Sequence, residues 1–137
     1  MAANILVVED EPLGRNLICE VLRNEGYQVS EAADGAEALG LAQAQRFDLV
    51  VSDFVMPKLD GFKLLAQLHS RYPRMPVILI SAYMAADSGQ AILQETAKFI
   101  PKPFELETLR STVQRLVLPV LSVWLNYGWF SFLACSS

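Results

Sequence analysis

Five residues with charged or reactive side chains stand behind short apolar runs in this 137-residue chain. Glu9 and Asp10 follow Ile5-Leu6-Val7-Val8, and Asp53 follows Leu49-Val50-Val51-Ser52. Ser81 follows Val77-Ile78-Leu79-Ile80, and Lys102 closes Lys98-Phe99-Ile100-Pro101. Three carboxylates brought together repel and raise one another's pKa, so such a cluster needs a cation. Hard oxygen ligands in small number suit Mg²⁺, which keeps several waters and shares its shell with phosphate. Lys102 supplies a fixed positive charge, and Ser81 a hydroxyl. Metal, ammonium and hydroxyl together suit the three oxygens of a transferring phosphoryl group. A carboxylate among them can act as nucleophile and form an acyl phosphate. Asp53 is the candidate, because it ends a central apolar run between the acid pair and Ser81.

These residues meet only if the apolar runs lie side by side. Continuous apolar runs of this length read as strands buried on both faces. Between them the spacing turns helical. Leu13, Leu17, Ile18, Val21 and Leu22 follow Pro12, which sits at a helix start behind acidic capping residues, and Gly26 closes that helix. Residues 27–32 read as a weaker second strand and residues 36–45 as an Ala-rich helix. Phe62, Leu65 and Leu68 mark a third helix, residues 84–95 a weaker fourth, and Leu106, Leu109, Val113 and Leu116 a fifth. Alternating strands and helices require a parallel sheet covered on both faces. The expected fold class is α/β, a doubly wound (βα)₅ unit in the flavodoxin-like order 2-1-3-4-5. In that order strands one, three, four and five are neighbours, and the site lies outside their carboxyl ends.

Composition excludes several classes. The chain is 53% apolar and 19% charged, which rules out disorder, collagen and coiled coil. A net charge of −4 argues against a dedicated nucleic-acid binder. Cys19 and Cys135 form no metal or disulfide pattern, so a reducing, cytoplasmic setting is expected. Met1-Ala2-Ala3-Asn4 has no basic region and is no signal peptide.

The motifs Val7-Val8-Glu9-Asp10-Glu11-Pro12, Asp53-Phe54-Val55-Met56-Pro57 with Asp60-Gly61, Ser81-Ala82 and Lys102-Pro103-Phe104 occur in one order over about residues 4–118. In that order and spacing the chain resembles a response regulator receiver domain of two-component signalling. The resemblance implies that Asp53 accepts phosphate from a histidine kinase or histidine phosphotransfer protein, with downstream protein partners. It implies Mg²⁺ bound by Asp10, Asp53 and the Val55 carbonyl, with Glu9 acting through water. Ser81 would hold a phosphoryl oxygen, Phe99 would be the switching aromatic, and Lys102-Pro103 a cis peptide. It implies a switch rather than an enzyme, beyond assisting its own phosphoryl transfer and dephosphorylation. Ser81 stands where the family often has Thr, Phe99 where it often has Tyr, and Glu9 where Asp is commoner. Gln94-Glu95-Thr96-Ala97 lacks the usual Gly before the fifth strand.

Singly, each feature has a plainer reading. Glu9-Asp10-Glu11 suits a helix N-cap, Asp53 a turn, Lys102 a solvated surface and Phe99 the core. His69 is expected to face solvent, and Cys19 to be a buried small hydrophobe. A receiver-like interaction module without phosphorylation is the alternative function. A phosphohydrolase fits less well, because Asp53-Phe54-Val55 has no second Asp two residues on to serve as general acid.

The domain is expected to occupy residues 1–118, which leaves no room in the sequence for an output domain. Residues 119–137 form an apolar tail. Leu116 to Cys135 is 20 residues without a charge, the length of a membrane span. Pro119, Asn126 and Gly128 weaken that reading. A partner contact, membrane association and a by-product of truncation all remain open for the tail. Helices on both sheet faces are expected to leave no groove for it, which points to a homodimer through the fifth helix with exchanged tails.

Overall fold

A computed structural model describes residues 2–53, 61–81 and 97–124. The strands are β1 (Asn4–Val8), β2 (Gln28–Ala32), β3 (Leu49–Asp53), β4 (Val77–Ser81) and β5 (Ala97–Pro101). The helices among the described residues are α1 (Pro12–Asn24), α2 (Gly35–Ala44), α3 (Gly61–Arg71) and α4 (Leu106–Trp124). The expected helix over 84–95 lies outside the described residues, so the helix after β5 is α4.

The five strands form one parallel sheet in the order β2-β1-β3-β4-β5. β3 and β4 are buried along their whole length, as strands covered on both faces must be. Successive side chains point to opposite faces. Ile5, Val7, Val51, Ile78 and Ile80 meet Ile18, Cys19 and Leu22 of α1 and Leu109, Val113 and Val117 of α4. Leu6, Val8, Val50 and Leu79 meet Ala38 and Ala42 of α2 and Leu64, Leu65 and Leu68 of α3. Two dry layers thus clamp one sheet and hold its strand ends in register.

Local signals place the helix ends. Glu11 caps α1 by accepting from the Leu13 N–H at 3.2 Å, with Pro12 at the first helical position. At the other end Gly26 takes φ 95°, its N–H donating to the Arg23 carbonyl while Tyr27 N–H donates to the Leu22 carbonyl. This is a Schellman closure, and only glycine enters it without strain. Asp34 caps α2 by accepting from Glu37 N–H at 2.8 Å.

The structure corrects three expectations. Leu13 and Leu17 do not join the apolar stripe of α1. They are 80% and 48% exposed, because α1 turns residues 18, 19 and 22 toward the sheet and leaves 13 and 17 one turn apart on the outer side. His69 is only partly exposed, and its Nδ1 is buried without a hydrogen-bond partner. It follows buried Leu68 by about 100° of helix rotation and so sits at the margin of the buried face. The final helix passes through Pro119 to Trp124 instead of ending near Leu118. Proline removes one N–H from the ladder, a local loss, and no glycine follows before Gly128.

Cys19 is fully buried, as expected, and burial pushes its thiol up to about 11, with Glu31 adding to the shift. Among the described residues no helix is long and apolar enough to cross a membrane.

Candidate functional site

The sheet delivers the five residues from four strand ends. Asp53 is the last residue of β3 and Ser81 the last of β4. Glu9 and Asp10 follow β1, and Lys102 follows β5. β1, β3, β4 and β5 are consecutive neighbours, so all five converge on one sheet edge.

Their geometry is tight. Glu9, Asp10 and Asp53 each place a carboxylate oxygen within 4.8 Å of the others. Lys102 Nζ lies 3.4 Å from Asp53 Oδ1 and 3.8 Å from Glu9 Oε2. Glu9 and Asp53 are buried, whereas Asp10 is exposed and Lys102 sits at the mouth, partly open to solvent. One ammonium therefore faces two buried carboxylates, with a third close by. Burial pushes the Glu9 carboxyl up to about 7, and the charge of Asp53 and the Asp10 side chain push the same way. The Glu11 N–H, donating to Glu9 Oε1 at 3.1 Å, and the Lys102 charge oppose the rise without cancelling it. The site carries more negative charge than its own cation neutralises.

Several supporting contacts have no signature in the sequence. Arg15 Nη1 donates to the Glu9 carbonyl at 2.8 Å, and its Nε donates to Glu31 Oε1 at 3.3 Å. Arg23 holds the other Glu31 oxygen at 3.2 Å. The turn after β1 is thereby tied to edge strand β2. Buried Ser52 donates its hydroxyl to the Asp53 carbonyl at 2.9 Å. The Lys102 N–H donates to the Ser81 carbonyl at 2.7 Å, joining the ends of β4 and β5. An arginine one turn into a helix is ordinary as sequence, and only the fold turns it onto a strand end.

The expected residues fall as follows. Ser81 is buried at the end of β4, beside the β5 end. Phe99 pairs with Leu79 across β4 and β5 and is half-buried against the α2–α3 core layer. Lys102-Pro103 is cis, as the resemblance implied. Val55 lies outside the described residues. The donor set fits Mg²⁺. It consists of hard carboxylate oxygens within 4.8 Å of one another, which a six-coordinate ion with bonds near 2.1 Å would draw to separations of roughly 3–4 Å. Their surplus charge is what a divalent cation would balance.

Glu9 has a consequence for stability. Its carboxyl rises from an ordinary 4.5 to about 7 on folding. Between those values the folded chain binds more protons than the unfolded one. In chelator-treated protein this group makes stability fall as pH rises through that window, by at most about 1.4 kcal/mol per pH unit. Urea unfolding at several pH values should show a shallower fall for Glu9→Gln, and equal profiles would remove Glu9 as the cause.

The model for the response regulator receiver domain matches residues 5–114. The response regulator protein FleR of Pseudomonas aeruginosa is 40% identical over 120 residues, covering 86% of this chain but only 25% of that protein. The chain thus spans about a quarter of that relative's length. Among solved structures, the chemotaxis response regulator CheY4 of Vibrio cholerae has a TM-score of 0.76 at 34% identity, covering 85% of this chain and 99% of that one. The receiver domain of a sensor histidine kinase from Pseudomonas aeruginosa has a TM-score of 0.74 at 31% identity, covering 85% and 98%. That structure is described as holding a magnesium ion in its active-site cleft. The family is one of signalling switches rather than classical enzymes, and its members work with histidine kinases. With the family model matching residues 5–114, a relative 40% identical over 120 residues and receiver structures sharing its fold, this chain belongs to the response regulator receiver domain family of two-component signalling.

Proposed function

We propose that this chain is a phosphoacceptor switch in which Asp53 takes a phosphoryl group from a phosphohistidine on a kinase or phosphotransfer protein. The observation that carries the reading is the placement of buried Asp53 between the Glu9–Asp10 pair and Ser81, with Lys102 Nζ 3.4 Å from its Oδ1. An Asp53 carboxylate oxygen attacks phosphorus, the P–N bond breaks, and the imidazole nitrogen keeps the electron pair. Lys102 holds the Asp53 carboxylate before transfer and pairs with the phosphoryl oxygens after it. Ser81 offers its hydroxyl to one of those oxygens. Glu9, Asp10, Asp53 and the Val55 carbonyl would hold Mg²⁺, which when bound supplies charge neutralisation for the phosphoryl oxygens.

Phosphorylation adds charge and strong acceptors at this edge. Ser81 and half-buried Phe99 stand on the adjacent strands β4 and β5 and carry the change to a downstream protein partner. The switch works by differential affinity for two states that already exist. The domain proper occupies residues 1–118, with its last helix running on to Trp124, and the reading carries with it a cytoplasmic location.

The donor surface is suggested by exposed leucines. Leu13 and Leu17 lie one turn apart at the start of α1, and Leu106 opens α4, with 39% exposure. α1 and α4 begin beside the strand ends that hold the acids, so these side chains offer an apolar rim to a docking helix.

Three outcomes follow. Acetyl phosphate with Mg²⁺ should add one labile phosphoryl group, seen by intact mass, and Asp53→Asn should add none. An unmodified wild-type chain would leave a phosphorylation-independent interaction module instead. Asp10→Asn removes a ligand and its charge, and calorimetric titration should show Mg²⁺ binding at least about tenfold weaker. Replacing both Leu13 and Leu17 by Ser should slow transfer from a phosphohistidine donor protein while leaving transfer from acetyl phosphate unchanged.

A further inference from the structure

The backbone at Glu9 is gripped from two sides. Its N–H donates to the Ala32 carbonyl at 3.0 Å, just past the last β1–β2 pair, Val8 with Ala32. Its carbonyl accepts from Arg15 Nη1 at 2.8 Å. That carbonyl belongs to the peptide joining Glu9 to Asp10. Arg15 therefore holds the link between two of the three clustered carboxylates. The same guanidinium reaches edge strand β2, with Nε 3.3 Å from Glu31 Oε1. A guanidinium is planar and rigid, so two of its donors set the Glu9 carbonyl and the Glu31 carboxylate in a constant relation. Three elements, α1, the end of β1 and β2, meet at this one group. Neither Arg15 nor Glu31 belongs to the Glu9–Asp10–Asp53 cluster.

A guanidinium beside a cation site has a cost. Its charge repels the cation, and the Arg15 side chain is only 20% exposed, so water screens it little. Glu31 answers that charge. Its carboxylate is itself held from the other side by Arg23 Nη2 at 3.2 Å. The Arg110–Glu25 pair, 3.4 Å apart, is by contrast open to solvent and reaches no part of the site.

We propose that Arg15 and Glu31 are positioning residues for the cation site. Arg15 fixes the Glu9–Asp10 peptide so that both carboxylates converge on Asp53. Glu31 holds Arg15 and cancels the charge it would otherwise turn on the cation. The proposal rests on the reading that the acid cluster holds Mg²⁺.

Two measurements on the full chain test it. The first needs no metal. Amide hydrogen exchange at Glu9, followed by NMR in chelator-treated protein, should be several-fold faster in Arg15→Gln. The second is calorimetric titration with Mg²⁺. Arg15→Gln should bind about tenfold more weakly, and Glu31→Gln several-fold more weakly. The double variant should be no weaker than Arg15→Gln alone, because Glu31 acts through Arg15. Arg15→Lys, which keeps the charge and can satisfy one partner, should fall between wild type and Arg15→Gln. Arg110→Gln removes the same charge elsewhere and should stay within about twofold of wild type. The sign separates positioning from bulk charge. Charge alone would make Arg15→Gln bind Mg²⁺ more tightly and Glu31→Gln more weakly, and that pattern would overturn the proposal. So would unchanged Glu9 exchange, or unchanged Mg²⁺ affinity in variants whose circular dichroism shows an intact fold. A wild-type chain that binds no Mg²⁺ would overturn both the proposal and the reading beneath it.

Discussion

The Lys102 ammonium, 3.4 Å from Asp53 and 3.8 Å from Glu9, is the contact on which the site depends. Two carboxylates buried at one sheet edge, with Asp10 adjoining, cannot all ionise cheaply in a low-dielectric setting. One fixed cation reduces the repulsion but leaves a surplus of negative charge, and burial first, with the Asp53 charge adding to it, pushes the Glu9 carboxyl up to about 7. That residual charge makes the edge receptive to a divalent cation, and through it to phosphate. A neutral site would have no such appetite, and a fully balanced one would have no reason to change state.

Holding like charges together takes a rigid frame. β3 and β4 are buried end to end, and dry layers on both faces leave the strand termini little freedom. The turn after β1 is fastened separately, by Arg15 on the Glu9 carbonyl and by Glu31 shared between Arg15 and Arg23. The ends of β4 and β5 are joined by the Lys102–Ser81 backbone hydrogen bond. The opposite edge of the same frame carries a cavity of mixed lining, with Phe47, Tyr72, Met75 and Pro76 beside Arg46, Asp48 and Arg74.

Much of this was legible beforehand. Apolar runs ending in Asp53, Ser81 and the Glu9–Asp10 pair announced buried parallel strands with polar ends. That pattern leads to the strand order and hence to convergence of the site. Pro12 and Gly26 marked the limits of α1 by backbone chemistry that needs no tertiary context. Other features were illegible for reasons equally physical. Leu13 and Leu17 share the helical period of Ile18 and Leu22, and periodicity alone cannot say which of two adjoining stripes meets the sheet. His69 lies at the margin of a buried face, where a small rotation decides exposure. Pro119 looked like a terminus because proline breaks helices on average, while a single lost hydrogen bond was not enough to stop this one.

By itself the sequence determined which chemical groups exist and which strand each one ends: three carboxylates, a hydroxyl and an ammonium behind four apolar runs. Those are local matters, set by side-chain type and by the twofold and 3.6-residue periods of the backbone. Tertiary structure decided distances, and with them how strongly the groups perturb one another. Glu9 becomes a carboxyl near 7 only because folding buries it beside Asp53. Arg15 becomes part of the site only because α1 packs across β1. The cavity at the far edge arises from the ends of α2 and α3, distant in the chain, and no local pattern encodes an empty volume. Electrostatic coupling and cavities both depend on separations in space between residues far apart in sequence, and those exist only once the chain has folded.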